Sequence, residues 1–167
     1  MSWVFRPLTL NKTNIMKAVK QFFATDQQLW SLLVSRLALG AVILPHGMQK
    51  ALGLFGGNGF SGTVGFFHSM GMPYLIGTLV ILAEFLGSIG VLLGLGTRFM
   101  AFSIFLTMTG AMIIGGHIYN GFFMNWFGAQ KGEGIEFFIL VIGLALALII
   151  GGGGKFSFDN LISKKLK

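Results

Sequence analysis

The chain has 167 residues, of which 54% are hydrophobic and only 10% carry a charge. Long apolar runs with so few charges are typical of membrane spans and exclude an ordinary soluble domain. The net charge is +7, but the basic residues lie mostly near the two ends, which membrane topology explains better than nucleic-acid binding does. The absence of cysteine excludes disulfides, thiol catalysis and thiolate metal sites.

The chain begins with a basic segment, residues 1–28, in which Thr13–Ala24 has the pattern of a short amphipathic helix. Such a helix would lie on the membrane surface, with its lysines directed toward anionic headgroups. A disordered tail explains the same residues equally well, and both interpretations stay open.

We predict one membrane domain over residues 29–154, followed by a basic tail over residues 155–167. Its fold is an all-α integral membrane protein, a four-helix transmembrane bundle preceded by an N-terminal amphipathic or disordered segment. Four stretches are long and apolar enough to cross the bilayer, and they are Leu29–Ala51, Tyr74–Leu95, Phe99–Tyr119 and Ile135–Ile150.

The distribution of positive charge predicts the orientation of these spans. The two terminal segments and the turn at Arg98 hold nine of the twelve Lys and Arg residues. The positive-inside rule therefore places both termini in the cytoplasm of a bacterium, with the chain crossing its inner membrane several times. The Gly/Phe-rich loop Gly53–Pro73 would lie on the outer side, where Phe66 and Phe67 favour a short interfacial or re-entrant helix.

Polar and small residues share one stripe on each predicted span. Examples are Arg36 with Gly40 and Gly47 on the first span, and Glu84 with Gly87 on the second. The corresponding stripes on the third and fourth spans contain, among others, Ser103, Gly110 and His117, and then Glu136, Gly143 and Ala147. Because both residue types favour helix–helix contacts in membranes, we expect all four stripes to face the bundle interior.

The depths of the polar residues predict two groups. Arg36 and Glu84 lie deep enough in their spans to form an ion pair, which would offset the cost of a charge in the bilayer. The other polar residues lie near the outer helix ends and would form one cluster above Glu84; they are His46, Lys50, His117, Asn120, Glu133 and Glu136.

An ordered series of motifs resembles the DoxX family of small bacterial membrane proteins. The series runs through Arg36-Leu37, Pro45-His46-Gly47-x-x-Lys50, Phe66-Phe67-x-x-x-Gly71-x-Pro73, Leu82-Ala83-Glu84-Phe85-Leu86-Gly87, Gly94-x-Gly96-Thr97-Arg98 and His117-x-x-Asn120-Gly121-Phe122-Phe123. The resemblance covers about residues 30–160. It implies a four-helix membrane protein and a link to quinol oxidases, to thiosulfate:quinone oxidoreduction or to oxidative-stress complexes.

We therefore expect a quinone- or redox-linked subunit of a respiratory or oxidative-stress complex. The candidate catalytic residues are His46, Glu84, His117 and Glu136, since a histidine and a carboxylate can exchange the protons of a quinol. The candidate ligand-binding residues are Arg36, Lys50 and Asn120. A quinone is the favoured cofactor, although no cofactor motif is present and the same residues could form a purely structural network.

Other functions fit the same residues. A non-catalytic scaffold or assembly subunit would use the outer loop and the basic ends as docking surfaces, and a small transporter would use the intramembrane charges. Haem ligation by His46 and His117 is the less favoured cofactor hypothesis, and no metal site is predicted. The expected partners are the lipid bilayer and other membrane or redox subunits, with no nucleic acid, and a homo-oligomer is compatible with the sequence.

Overall fold

The computed structural model describes residues 12–26 and 28–165, and the remainder of the predicted terminal tails lies outside the described residues. The described residues contain helices and no strand. The seven α-helices are α1 (Lys12–Phe23), α2 (Trp30–Leu52), α3 (Gly59–Ser69), α4 (Tyr74–Leu93), α5 (Thr97–Ile114), α6 (Glu136–Gly151) and α7 (Phe158–Lys165). Two single 3₁₀ turns, Leu54–Gly56 and His117–Tyr119, follow α2 and α5.

Three helices, α2, α4 and α5, are long and apolar enough to cross a membrane. The all-helical class is thus confirmed, and these three correspond to predicted spans. The fourth predicted span corresponds to α6, an apolar helix of 16 residues that falls short of that length. Crossing of the bilayer by four helices therefore stays a prediction.

The helices pack as a ring in which α2 contacts α4, α4 contacts α5, α5 contacts α6, and α6 returns to α2. The hydrophobic core between them is mostly aliphatic and includes Leu39, Ile43, Ile104, Val141 and Leu148. The outer surface of the ring also carries many exposed apolar side chains. An apolar exterior around an apolar core is what a helix bundle in lipid requires.

The two terminal segments lie at one end of the ring, where α1 contacts α7. We call this the terminal end. The opposite end, called the loop end, carries α3 and the long connection between α5 and α6. The helix α3 packs against α2 and α4 and contains Phe66 and Phe67, as the sequence predicts. The interfacial or re-entrant position predicted for α3 relative to the membrane stays a prediction.

The predicted interior stripe is correct for two helices and wrong for two. On α2 and α4 the small and charged residues are buried, including Arg36, Gly40, Gly47 and Glu84. On α6, by contrast, Gly143 is exposed, and the buried face consists of Phe138, Val141, Ala145 and Leu148. On α5 the buried face likewise follows larger residues such as Ile104 and Met108. The contact between α5 and α6 therefore combines larger apolar side chains with alanines such as Ala145, and the small residues of the predicted stripes do not define it.

Candidate functional site

A Lys–Glu ion pair lies between α2 and α4. Lys50 Nζ contacts Glu84 Oε2 directly, and the Glu84 side chain is 3% exposed whereas that of Lys50 is 28% exposed. The helices approach closely here because of Gly47, where a Cβ would lie 2.6 Å from the Phe85 backbone. Glu84 is thus a buried charge whose partner reaches it from the edge of the bundle.

His46 lies one helical turn before Lys50 and completes this charged site, which we define as His46, Lys50 and Glu84. It is close enough to interact electrostatically with both charges. Its ring is exposed and lies 6.0 Å from the ring of Phe137, between centroids. His46 is therefore the most exposed member of the charged site, followed by Lys50.

Arg36 does not pair with Glu84, so that prediction is wrong. Its guanidinium donates to the carbonyl oxygens of Lys155 and Phe156, each at 3.3 Å, and packs against Gly94 at the end of α4. Because α2 begins well beyond the end of α4, Arg36 is level with Gly94. Glu84 lies ten residues before Gly94 in the sequence, which is about 15 Å from Gly94 along the axis of α4.

The predicted outer cluster is also wrong as a single group. His46 and Lys50 belong to the charged site, whereas the other four members form a separate loop cluster. This loop cluster comprises His117, Asn120, Glu133 and Glu136, at the connection between α5 and α6. The rings of Phe137 and Phe138 lie between the two groups, the first beside His46 and the second 4.6 Å from His117.

Hydrogen bonds in the loop cluster fix the connection between α5 and α6. His117 Nδ1 lies 2.8 Å from the carbonyl oxygen of Glu133, and Asn120 Nδ2 donates to the same oxygen at 3.1 Å. The carboxylate of Glu136 accepts from the Met124 amide at 3.2 Å. These contacts show that Asn120 and Glu136 have a structural role in ordering the loop.

The tautomer of His117 follows from its hydrogen bond. A carbonyl oxygen carries no proton, so Nδ1 must donate to it. In the neutral ring, Nε2 is then an acceptor, and it lies next to Gly115. When the ring is neutral, His117 therefore offers an acceptor nitrogen near Gly115.

An apolar groove of about 870 Å³ runs along the outside of α4 and α5 and ends at His117. Its walls include Phe67, Leu86, Leu106 and Gly115. From Phe99 to Ile114 on α5 it extends about 22 Å, at 1.5 Å per residue. It is thus long enough to hold an extended hydrocarbon chain with one polar group at the loop end.

A third polar group at the terminal end was not predicted from the sequence. The buried carboxylate of Asp159 accepts from the amides of Gly96 at 2.6 Å and Thr97 at 2.9 Å, at the start of α5. Arg98 donates to two carbonyl oxygens in the last turn of α6, those of Ile149 and Ile150. We call Arg36, Arg98 and Asp159 the terminal clasp. The one available signal was an isolated acidic residue, Asp159, in a basic tail.

Within the part of the chain that the structure describes, no three His, Asp or Glu side chains are grouped as metal ligands. The charged site and the loop cluster each provide one histidine. The side chains present in the two groups can form hydrogen bonds and exchange protons.

Comparison with known proteins identifies relatives. The family model named DoxX matches residues 31–117, just over half of the chain. "Putative oxidoreductase CatD" of Bacillus subtilis (strain 168) is 32% identical over 81 residues, which span 48% of this chain and 56% of that protein. "Inner membrane protein YqjF" of Escherichia coli (strain K12) is 29% identical over 138 residues, 80% of this chain and 92% of that protein. No solved structure matches significantly.

Proposed function

The chain belongs to the DoxX family of membrane proteins, and we propose that it is a redox-linked subunit that binds a quinol in the groove between α4 and α5. The observation that carries this proposal is the pairing of a long apolar groove with a single histidine acceptor at its loop end. The naming of one relative as an oxidoreductase is consistent with it.

The groove suits an isoprenoid tail. Several of its lining side chains, such as Leu82, Leu86 and Phe102, are exposed on the outside of the ring. A lipid-soluble molecule can therefore enter laterally from the bilayer without first crossing water. The length of about 22 Å covers most of a hydrocarbon core of about 30 Å.

His117 suits the headgroup. A quinol hydroxyl can donate to Nε2, and the imidazole can accept that proton when the quinol is oxidised. Oxidation of a quinol to a quinone releases two protons and two electrons, so the electrons must pass to a partner subunit that carries a redox centre. The chain's own contribution is to bind and orient the quinol and to take up one of the two protons at His117 Nε2, while the second proton is released to water at the loop end.

The charged site is the other candidate location for the headgroup, because His46 is exposed beside the Lys50–Glu84 pair. Measurement of quinone that co-purifies with the protein separates the two locations. We expect His117→Ala to lower bound quinone about three- to tenfold, the effect of one lost hydrogen bond. The matched control His46→Ala replaces a histidine at the loop end that lies outside the groove, and this variant is expected to retain bound quinone.

Each other outcome has a defined meaning. Loss of quinone in His46→Ala or Glu84→Gln, with retention in His117→Ala, would place the headgroup at the charged site and contradict the groove assignment. An absence of quinone in the wild-type protein purified gently from quinone-replete membranes would contradict the quinol proposal itself.

A second candidate function, an assembly subunit without its own chemistry, is favoured by the loop between α5 and α6. Its aromatic side chains Tyr119, Trp126 and Phe127 are strongly exposed although hydrogen bonds order the loop around them. A partner subunit would cover these rings. Recovery of the chain alone from mild detergent at every salt concentration would count against this function.

We further propose a four-helix transmembrane bundle in a bacterial inner membrane, with both termini in the cytoplasm. The fourth helix, α6, is about 24 Å long at 1.5 Å per residue and carries no charged residue between Phe137 and Gly151. The name of one relative supports the location. Since the chain has no cysteine, Lys131→Cys and Lys165→Cys each introduce one thiol. In intact spheroplasts an impermeant maleimide should label only the first; equal labelling would contradict this topology.

A further inference from the structure

The last helix, α7, turns its apolar side away from the protein. The side chain of Asp159 points inward and is buried at the start of α5. Phe158 and Leu161, on the other side of the helix, are 48% and 53% exposed. An amphipathic helix held in this orientation places its apolar face where an adjacent lipid surface can cover it.

A pocket of about 470 Å³ lies along this outward face. Lys155 and Lys164 are the two cations that line it, and Phe156, Phe158 and Leu161 are its large apolar lining residues. The ammonium group of Lys155 lies 3.9 Å from the centre of the Trp30 ring, which adds a cation–π contact. The pocket thus combines positive charge with an apolar floor.

The segment that carries Lys155 and Phe156 is held rigidly from within. Buried Arg36 donates to the carbonyl oxygens of both residues. Phe156 has a φ of +54°, a left-handed conformation that is unfavourable for a phenylalanine. Its ring is nevertheless exposed, edge-on to Trp30 at 6.1 Å between centroids. The fold therefore holds a large aromatic ring outward at the rim of the pocket.

The charge of the terminal end matches an anionic occupant. Among the described residues near this end, the exposed lysines on α1 and α7 outnumber the one exposed acidic residue, Asp26. A free anion would use the cations of the pocket but not its apolar floor. An anionic lipid would use both, because its phosphate lies beside its acyl chains.

We propose that this pocket binds the phosphodiester headgroup of an anionic phospholipid. Lys155 and Lys164 contact the phosphate, and the acyl chains lie along Phe156 and Leu161. Trp30 and the α7 face then mark the level of the headgroups at the terminal end. This site is separate from the groove and does not depend on the proposed quinol binding.

Fluorescence quenching in vesicles tests the site with the full chain. Trp3→Phe and Trp126→Phe leave Trp30 as the single tryptophan of the chain. Brominated phosphatidylglycerol or brominated phosphatidylcholine is mixed at equal mole fraction into phosphatidylcholine vesicles. We expect stronger quenching of Trp30 by the anionic lipid. The ratio of the two quenching values corrects for any change in Trp30 emission itself.

Glutamine variants measure the contribution of each lysine. Lys155→Gln and Lys164→Gln should each lower the preference for phosphatidylglycerol about fivefold, the effect of one basic residue near an anionic surface. Lys131→Gln, which removes one exposed lysine at the loop end, is the matched control and should leave the preference unchanged.

Three results would overturn the proposal. These are equal quenching by the two lipids, an equal loss of preference in Lys131→Gln, and release of quenching by inorganic phosphate at the concentration of the anionic lipid. The second result would indicate a general effect of net charge, and the third would indicate a site for free phosphate.

Discussion

Because Glu84 is more deeply buried than Lys50, we expect that removal of Lys50 lowers the free energy of unfolding more than removal of Glu84 does. Removal of one partner from a fully buried pair costs about 3–5 kcal/mol. Lys50→Met leaves the carboxylate of Glu84 buried without its cation, so we expect a loss near the lower limit, about 3 kcal/mol. Glu84→Gln leaves Lys50, whose side chain is 28% exposed and can extend to water, so we expect a loss of about 1 kcal/mol.

A double-mutant cycle tests this reasoning. The free energy of unfolding is measured for the wild type, both single variants and the double variant, by titration of detergent-solubilised protein with sodium dodecyl sulfate and detection by circular dichroism. The double variant should be more stable than Lys50→Met alone, because no charge is then left buried. Equal losses in the two single variants, or strictly additive losses in the double variant, would refute the interpretation.

Two further predictions concern the same free energy of unfolding. Gly47→Ala should lower the free energy of unfolding by about 1–3 kcal/mol because its methyl group would meet the backbone of α4. The control Gly110→Ala, at a helix position with open space, should be neutral or stabilise the protein by up to about 1 kcal/mol. Equal effects of the two substitutions would contradict the close approach of α2 and α4. Asp159→Ala should lower the free energy of unfolding by about 1–2 kcal/mol through loss of the acceptor at the start of α5. It should also accelerate tryptic cleavage after Lys155. The control Asp26→Ala removes an exposed acceptor of one amide and should cost less than about 0.5 kcal/mol. An Asp159→Ala variant as stable and protease-resistant as the wild type would contradict the terminal clasp.

The hydrophobic runs of the sequence predict the bounds of α2, α4, α5 and α6, and most of the predicted ends lie within a few residues of the observed ones. The exception is the third predicted span, which was extended to Tyr119 although α5 ends at Ile114. Two glycines, Gly115 and Gly116, follow α5 directly, and His117 lies in a separate 3₁₀ turn. His117 is therefore not part of the continuous helical stripe that the sequence predicts for it, and a similar depth does not bring it into contact with His46.

The incorrect Arg36–Glu84 pair has a different cause. Counting from the start of each span gives depth only if the helices begin at the same level. In the structure Gly40 lies against Leu92 and Gly47 against Phe85, so α2 extends beyond α4 at the terminal end. The offset depends on which small residues meet across the interface, and hydropathy carries no information about that contact.

The sequence pattern does not predict the terminal helix α7, and the reason is different again. Its eight residues include two lysines and are too few for periodicity alone to predict a helix, so the sequence indicates only a basic tail. Asp159 anchors it by long-range hydrogen bonds to residues 62 and 63 positions earlier in the chain. Tertiary contacts of this kind override local propensity and leave little trace in a single sequence.

The contacts of Arg36 have a consequence for biosynthesis. Its carbonyl partners in Lys155 and Phe156 follow it by 119 and 120 residues, so they do not yet exist when α2 leaves the ribosome. During insertion Arg36 is a positive charge near one end of an apolar segment and lacks these partners, and in the proposed topology the positive-inside rule would favour that end remaining in the cytoplasm. After the last helix has been made, the same guanidinium anchors the C-terminal segment. In the proposed topology, one side chain would thus help to orient the chain during insertion and then hold the C-terminal segment in the completed fold.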